Sequence, residues 1–568
     1  MLIIKEFFDG LSGGGISLQI CFYTFMTALF SSLIMVPFLR QWALSQGTVD
    51  VPDKRKVHVT PTPRLGGVAI FLAFLLATLS FAPIVPAVRG ILVGGLIIFV
   101  TGLVDDLHGL SAKHKFTGEV IACLCTIGIG RLWLSDLGNL FGFGDILLPA
   151  WFGIPFTVFA VVGVINAINL IDGLDGLSGG VSVIALSAFL LMGILDECPS
   201  VILLSAALLG AVLGFLKYNF YPARIFMGDV GSLTVGFVLG FLAVQMTQHT
   251  GATISPMVPI VILGLPILDT LRVMQRRIRK NLRPFSPDQT HVHHKFLNYG
   301  FEHRFTVLVL YTLTLFWACF AVIFRHWPEY WLLASFLVLG ICIHQVLRYL
   351  LKQRDQLPWL QRDSNRSLRN SATFEKIAGL VDLGLPVVSV LLGLFLLLAV
   401  VSFTSVSVIP WQILIGLLVG SLILYLRTSS RPHDEFMLLV VYFVGFIAAY
   451  QVWSTADLTL FGLSLKRCGD LLLMLIALLV VLKLVVHRPG EFYLSTPDYL
   501  VLGLCIFFAV ASGEAVLDLN LTGPLLRAVI VMVALRTVVT HNSVNHRYAV
   551  LGSLALLLLA TGVGLLGA

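Results

Sequence analysis

Residues 146–195 read ILLPAWFGIPFTVFAVVGVINAINLIDGLDGLSGGVSVIALSAFLLMGIL. Two apolar runs, 146–165 and 177–195, are each about as long as the roughly 20 residues a helix needs to cross a bilayer core. Between them lies a short polar turn carrying Asn166, Asn169, Asp172 and Asp175. The pattern predicts two membrane helices joined by an acidic loop, and it decides the fold class because it repeats in both directions along the chain.

Before it, apolar windows fall near 20–40, 66–84, 88–104 and 116–134; after it, near 200–216, 230–248, 256–272, 305–324 and 329–347. Seven more follow, near 378–402, 409–426, 436–453, 468–486, 498–516, 524–540 and 548–567. The expected fold is therefore an all-α polytopic integral membrane protein of about 18 transmembrane helices. Composition excludes a water-soluble globule: 58% of the 568 residues are hydrophobic and only 12% charged, and mean hydropathy is +0.95. Soluble domains run at about 45–50% apolar and about 25% charged. Residues 1–19 lack the features of a cleaved signal peptide, so the first span is expected to be retained.

The net charge of +7 raises the question of a nucleic-acid partner, and the positions of the charges answer it. With the amino terminus outside and each span reversing the side, 30 of the 37 Lys and Arg residues fall in loops on the cytoplasmic side, as membrane topology demands. No nucleic acid is implied. The eight cysteines form no CxxC pair and no metal-ligand spacing, and most lie in apolar runs. The basic stretch 348–376 divides the chain into residues 1–376, with about 11 spans and long polar loops, and residues 377–568, with about 7 spans and plain loops.

The same topology puts the loop carboxylates on one face. Asp105 and Asp106 end the third span, Asp172 and Asp175 follow the fifth, Asp229 precedes the eighth and Asp269 ends the ninth. A single membrane-edge Asp is as often a solvated side chain as a functional one. Several together repel, by about 4 kcal/mol per pair at 4 Å and an effective dielectric of 20, so they call for a counter-ion. Magnesium suits them, with manganese as the substitute, because it takes one or two carboxylates and completes its shell with water and substrate phosphates. Loop 273–304 holds Arg276, Arg277, Arg279, Lys280 and Arg283, then His291, His293 and His294. A positive-inside anchor explains most of the arginines. Three histidines in four residues, with no Cys nearby, read better as phosphate contacts than as a zinc site. Arg55, Lys56, His58 and Arg64 add cations, with Gly66 and Gly67 read as allowing a phosphate to approach the backbone.

These segments resemble the polyprenyl-phosphate N-acetylhexosamine-1-phosphate transferases, bacterial relatives of the phospho-N-acetylmuramoyl-pentapeptide transferase. The motifs are Arg55-Lys56-Val57-His58, Pro63-Arg64-Leu65-Gly66-Gly67, Gly102 to Asp106, Asn166 to Gly176, Asn219 to Asp229, and His291 to His294. The resemblance covers about residues 20–350 and is nearest the branch that initiates surface-polysaccharide lipids. It implies transfer of a sugar-1-phosphate from a UDP-N-acetylhexosamine, UDP-GlcNAc first, to undecaprenyl phosphate, at the cytoplasmic face of the bacterial inner membrane. It further implies Asp229 as magnesium ligand, Asp105 or Asp106 orienting the lipid phosphate, and His291, His293 and His294 at the phosphates with Arg64 and Lys115. Asn169, Asp172, Asp175, Asn219 and Phe226 fall to the nucleotide. Val230 departs from the Ser or Thr expected after Asp229, and residues 377–568 have no counterpart. The rival reading is a non-catalytic carrier or flippase for lipid-linked sugar, although carriers place their binding groups near the midplane.

Overall fold

The computed structural model describes residues 18–47, 49–50, 61–281 and 291–352, then 384–403, 459–460, 463–485, 496–512 and 522–541, with a few single positions between. The chain divides into two compact units, Met1–Arg354 and Asp355–Ala568.

The first unit contains α1 (Leu18–Ser45), a two-residue ladder of β1 (Val49–Asp50) and β2 (Thr62–Pro63), α2 (Gly66–Phe81), α3 (Pro86–His108), α4 (Ala112–Gly130) and α5 (Ala150–Ile171). It continues with α6 (Leu177–Leu195), α7 (Pro199–Asn219), α8 (Gly228–Gln248), α9 (Met257–Ile262), α10 (Gly264–Arg279), α11 (Val292–Asn298), α12 (His303–Ile323) and α13 (Glu329–Lys352). Helices α6, α7 and α8 are apolar on every face and form the centre, with Phe189, Phe215, Phe237 and Phe241 fully buried. Their neighbours bury one side and expose the other. Close packing without a solvent-driven hydrophobic force depends on small residues at the contact. Gly210 and Gly214 serve this purpose on α7, since a Cβ on either would strike the α1 carbonyls of Phe25 or Leu29.

Among the described residues, eight helices are long and apolar enough to cross a membrane, and the chain is an all-α, multi-pass membrane protein. Helices occupy fourteen of the eighteen expected positions, commonly with ends shifted by a few residues. The windows 409–426 and 548–567, and nearly all of 436–453, lie outside the described residues. The expected span 256–272 is a correction: it is two helices, α9 and α10, meeting at Leu263. Pro266 has no N–H to offer the Ile262 carbonyl, so the helix breaks there. Helix α10 then runs to Arg279, seven residues beyond the expected span, with Arg276, Arg277 and Arg279 in its last turn. Cations there complement the negative end of the helix dipole, which gives these arginines a structural cause that sequence topology alone did not supply.

The second unit contains α14 (Gly384–Phe403), a ladder of β3 (Thr459–Leu460) and β4 (Leu463–Ser464), α15 (Leu465–Val485), α16 (Thr496–Ser512) and α17 (Thr522–His541). Phe395, Leu473, Ile476 and Val531 centre its core. Arg527 on α17 pairs with Asp470 on α15 at 2.6 Å.

Candidate active site at one end of the first unit

The site begins with the Pro63 to Gly67 turn. Phe226 donates its N–H to the Pro63 carbonyl at 2.7 Å, and Gly66 and Gly67 donate theirs to the carbonyls of Phe226 and Met227 at 3.0 and 2.8 Å. A Cβ on Gly67 would collide with the backbone of Gly231. The two glycines were expected to let a phosphate approach the backbone; instead Gly66 admits the Phe215 ring and the Phe226 carbonyl, and Gly67 admits the first turn of α8. The correction is steric, because the space beside them is filled by the protein itself.

Gly228 has φ +69°, a conformation glycine adopts at little cost, and a Cβ there would meet the Arg64 carbonyl and the Asp106 carboxylate. This turn aims the free N–H groups at the start of α8 toward α3. Asp106 accepts from Asp229 N–H at 2.9 Å and from Val230 N–H at 3.0 Å. It therefore caps α8 from another helix, satisfying donors that no helix can satisfy internally.

Asp229, thus placed, accepts from Lys115 Nζ at 2.7 Å and from Asn169 Nδ2 at 2.6 Å. Lys115 also reaches Asp105 at 3.2 Å, and Asp105 accepts from Leu110 N–H at 2.6 Å. Asp229 is the most open of the three, with 32% of its side chain accessible against 18% for Lys115 and 11% for Asp105. It is thus the carboxylate best able to meet a ligand. Arg64 lies close enough to Asp106 to offset part of its charge.

Loop 172–176 closes one side. Asp175 accepts from Ala223 N–H at 2.9 Å and donates its own N–H to His303 at 3.1 Å, while Tyr311 donates to the Gly176 carbonyl at 2.6 Å. Asn219 is buried, accepting from Gly176 N–H and donating to the Ile225 carbonyl, so both ends of its amide tie loops together. Phe226 is half-buried beside them. Asp172 carries a carboxyl pushed up to about 7, first by burial and then by the charges of Asp229, Asp106 and Asp175.

The histidines approach from α10 and α11. Asp269 holds the His291 ring nitrogen Nδ1 at 2.8 Å and accepts the Val292 N–H at 3.1 Å. His293 is 1% exposed, and neither of its ring nitrogens has a hydrogen-bond partner. Its ring fills the space a Cβ on Gly173 would need, which puts it beside Asp172. Burial, then the neighbouring His294, push its pKa down to about 3, so it is neutral at pH 7. His294 packs on it with ring centroids 4.2 Å apart.

The structure thus gathers Asp105, Asp106, Asp229, Lys115 and Asn169 in one contact network, with Asp172 near enough to feel the charges of Asp229, Asp106 and Asp175, Arg64 beside Asp106 and His293 touching the loop of Asp172. Arg55, Lys56, His58 and Arg283 lie outside the described residues. Sequence reasoning left several members out of the site. Glu119, 1% exposed, accepts from Asn166 at 2.9 Å, and Ser232 accepts from Asn169 at 2.8 Å. The signal for Glu119 was present, since a charge four residues after Lys115 inside an apolar helix is expensive and seldom idle. Ser232 supplies a hydroxyl two residues beyond the expected position at Val230.

A family model described as glycosyl transferase family 4 matches residues 88–247. The chain is 36% identical over 325 residues to a probable undecaprenyl-phosphate N-acetylglucosaminyl 1-phosphate transferase of Bacillus subtilis (strain 168), covering 57% of this chain and 90% of that protein. The chain belongs to this family. It is also 32% identical over 328 residues to a decaprenyl-phosphate N-acetylglucosaminephosphotransferase of Mycolicibacterium smegmatis, covering 53% of this chain and 81% of the relative. With an undecaprenyl-phosphate alpha-N-acetylglucosaminyl 1-phosphate transferase of Escherichia coli O157:H7 the figures are 31% over 328 residues, 56% and 88%. The family model lies wholly within the first unit, from α3 to α8.

Proposed function

We propose that the chain transfers N-acetylglucosamine 1-phosphate from UDP-GlcNAc to undecaprenyl phosphate at the cytoplasmic face of a bacterial inner membrane, releasing UMP and leaving a lipid-linked diphosphate sugar that starts a surface polysaccharide. The observation that carries this reading is the cluster of four carboxylates around Asp229, which exceeds the positive charge that Lys115 and Arg64 bring. The printed activities of the family relatives agree with it.

The cluster suits a hard divalent cation. Among the described residues no three His, Cys, Asp or Glu side chains form a ready-made cage, and magnesium needs none, since it uses one or two carboxylates and borrows phosphate oxygens. Asp229 and Asp172 would hold it, and a bound cation would oppose the burial and the neighbouring charges that push the Asp172 carboxyl up to about 7. When bound, the ion neutralises the donor diphosphate and orients it.

In the reaction, an oxygen of the acceptor phosphate attacks the sugar-bearing phosphorus of the donor. The bond from that phosphorus to the UMP oxygen breaks, and UMP leaves with the electron pair. Such transfers depend on positioning and charge stabilisation more than on covalent help. The acceptor phosphate has its second pKa near 6, as phosphate monoesters do, so it arrives largely dianionic and needs no strong base. Lys115 and Asn169 fix the rotamer of Asp229, and Asp106 fixes the helix end beneath it. His293 presents neutral imidazole nitrogens to a phosphate, and His291 is aligned for the same task by Asp269. Asp105 is the carboxylate left to orient the acceptor.

The test is to incubate purified full-length protein with undecaprenyl phosphate, magnesium and a panel of UDP-sugars. UMP release with UDP-GlcNAc is the expected result. A folded, nucleotide-binding protein that releases UMP with no UDP-N-acetylhexosamine would sink the proposal and favour a carrier.

A further inference from the structure

A cavity of about 760 Å³ opens between α10, α11 and α13, on residues that the proposed reaction does not use. That volume lies within the roughly 300–1,000 Å³ of ordinary ligand sites. Six cations line it, namely Arg272, Arg276, Arg279 and Lys280 from α10 and its end, Lys295 from α11, and Arg348 from α13. Among the described residues that line it there is no carboxylate. Among the described residues Arg272 pairs with Asp269 at 3.8 Å, and the two Asp269 oxygens also serve His291 and the Val292 N–H.

Six like charges around one cavity repel one another unless an anion enters. The strain registers at Lys295, whose ammonium is pushed down to about 8, first by burial and then by Arg272, Arg276 and Arg348, against the pull of Asp269. The helix dipole accounts for the arginines in the last turn of α10 and equally for Lys295 in the last turn of α11, but it does not explain why cations from three elements, Arg348 of α13 among them, face one cavity.

The wall supplied by α13 indicates what kind of anion fits. Leu337, Ile341, His344 and Arg348 are spaced 4, 3 and 4 residues apart and so share one helical face. Leu337 and Ile341 are exposed, at 46% and 61%, so the cationic cavity continues into an open apolar stripe one and two turns away. A soluble anion has no use for that stripe, whereas a lipid fits both parts. Basic pockets between helices at the cytoplasmic boundary are suited to anionic head groups.

We infer that this cavity holds the phosphate head group of an anionic bilayer phospholipid, distinct from the acceptor lipid, with its acyl chain lying along Leu337 and Ile341 of α13. The guanidinium groups of Arg276, Arg279 and Arg348 grip the phosphate in the forked geometry that arginine offers. Because Lys295 lies on the same short helix as His293, occupancy also fixes the element that carries the histidines. The inference does not depend on the transfer reaction, and its test reads binding alone.

Full-length protein in a neutral detergent is titrated with dioctanoyl phosphatidylglycerol, with dioctanoyl phosphatidylcholine and with inorganic phosphate, and bound ligand is counted by native mass spectrometry. Saturable binding of one phosphatidylglycerol, and none of phosphatidylcholine, is the expected result. The double variant Arg276→Gln/Arg279→Gln should weaken it about 10- to 30-fold, Arg348→Gln about fivefold, and Arg348→Lys about twofold, because the charge stays and the fork is lost. Circular dichroism and a single size-exclusion peak establish that each variant is folded, and the two Arg348 variants decide the matter if the double variant is not. Unchanged affinity in the Gln variants, or equal binding of the two phospholipids, overturns the site. Saturation by inorganic phosphate at the same concentration overturns the lipid assignment and gives the cavity to a soluble phosphate.

Discussion

Helices α6 and α8 each begin at the carboxylate cluster and end at a second polar network, and the two ends are built on opposite rules. At the far end Asp196 accepts from the Thr253 N–H at 2.9 Å and its hydroxyl at 2.5 Å, and pairs with His249 at 3.4 Å. Gln248 accepts from the N–H groups of Ser135 and Asp136 at 3.0 and 3.1 Å and donates to the Asp136 carbonyl at 2.9 Å. The bond to Cys198, with the Asp196 charge, pushes His249 up to about 9, against burial. Charges there are matched within the protein, and Asp196 Oδ2, which accepts no hydrogen bond, faces the His249 ring as an ion pair. At the near end the same kinds of residue leave negative charge in excess, an Asp172 carboxyl pushed up to about 7 and a buried His293 without hydrogen-bond partners. The lesson is that a closed polar network is architecture, and an unbalanced one is a binding site awaiting its ligand.

The comparison breaks most sharply at Asp229. Replacing it with Asn should lower UMP release by about three orders of magnitude, since losing a principal metal carboxylate removes several kcal/mol of transition-state stabilisation and each 1.36 kcal/mol is tenfold. The melting temperature should hardly change. Near-normal turnover at limiting magnesium would remove Asp229 from the site.

His293→Gln keeps a polar group but not the ring, and should reduce turnover about 10- to 100-fold, the scale of one well-placed polar contact in a transition state. An unaffected rate would make His293 a packing residue.

Asp106→Asn tests the cap. Asn keeps one acceptor oxygen but turns an amide NH2 toward the other N–H group of α8, leaving that donor unsatisfied at a cost of about 1–2 kcal/mol of stability, the usual worth of a cap. A fall in melting temperature larger than that of Asp229→Asn is expected. The opposite order would mean that Asp106 is not holding the helix.

Two pH experiments sharpen the contrast with smaller effects. Asp172 has a folded pKa near 7, above its unfolded value, so its contribution to stability is present in acid and lost as pH rises through about 7. Asp172→Asn should therefore raise the melting temperature at pH 8 without magnesium and leave it nearly unchanged at pH 4. His249, with a folded pKa near 9, stabilises below about 6.5 and loses that effect as pH rises through about 9. His249→Gln should lower the melting temperature at pH 6 more than at pH 10 while leaving turnover intact. Loss of activity there would show that the far end also takes part.

Much of this was legible in the sequence because hydropathy is a property of neighbouring residues. The apolar windows, the loops holding Asp105, Asp172 and Asp229, and the motifs that identify the family needed only contiguous residues. Even the excess of cations in one set of loops could be counted. The tertiary structure decided which of those residues face one another. Lys115 meets Asp229 across 114 positions, Asp106 caps α8 across 123, and Asn169 reaches Asp229 across 60. It also decided that Gly66 and Gly67 give their space to the protein's own chain instead of a phosphate, that the ninth window is broken, and that Asn219 fastens loops. It brought Arg348 to the cations of α10. Spans form from local hydrophobicity, which each segment carries by itself. The pairing of charges depends on where packing brings distant helices together, and no single segment contains that information.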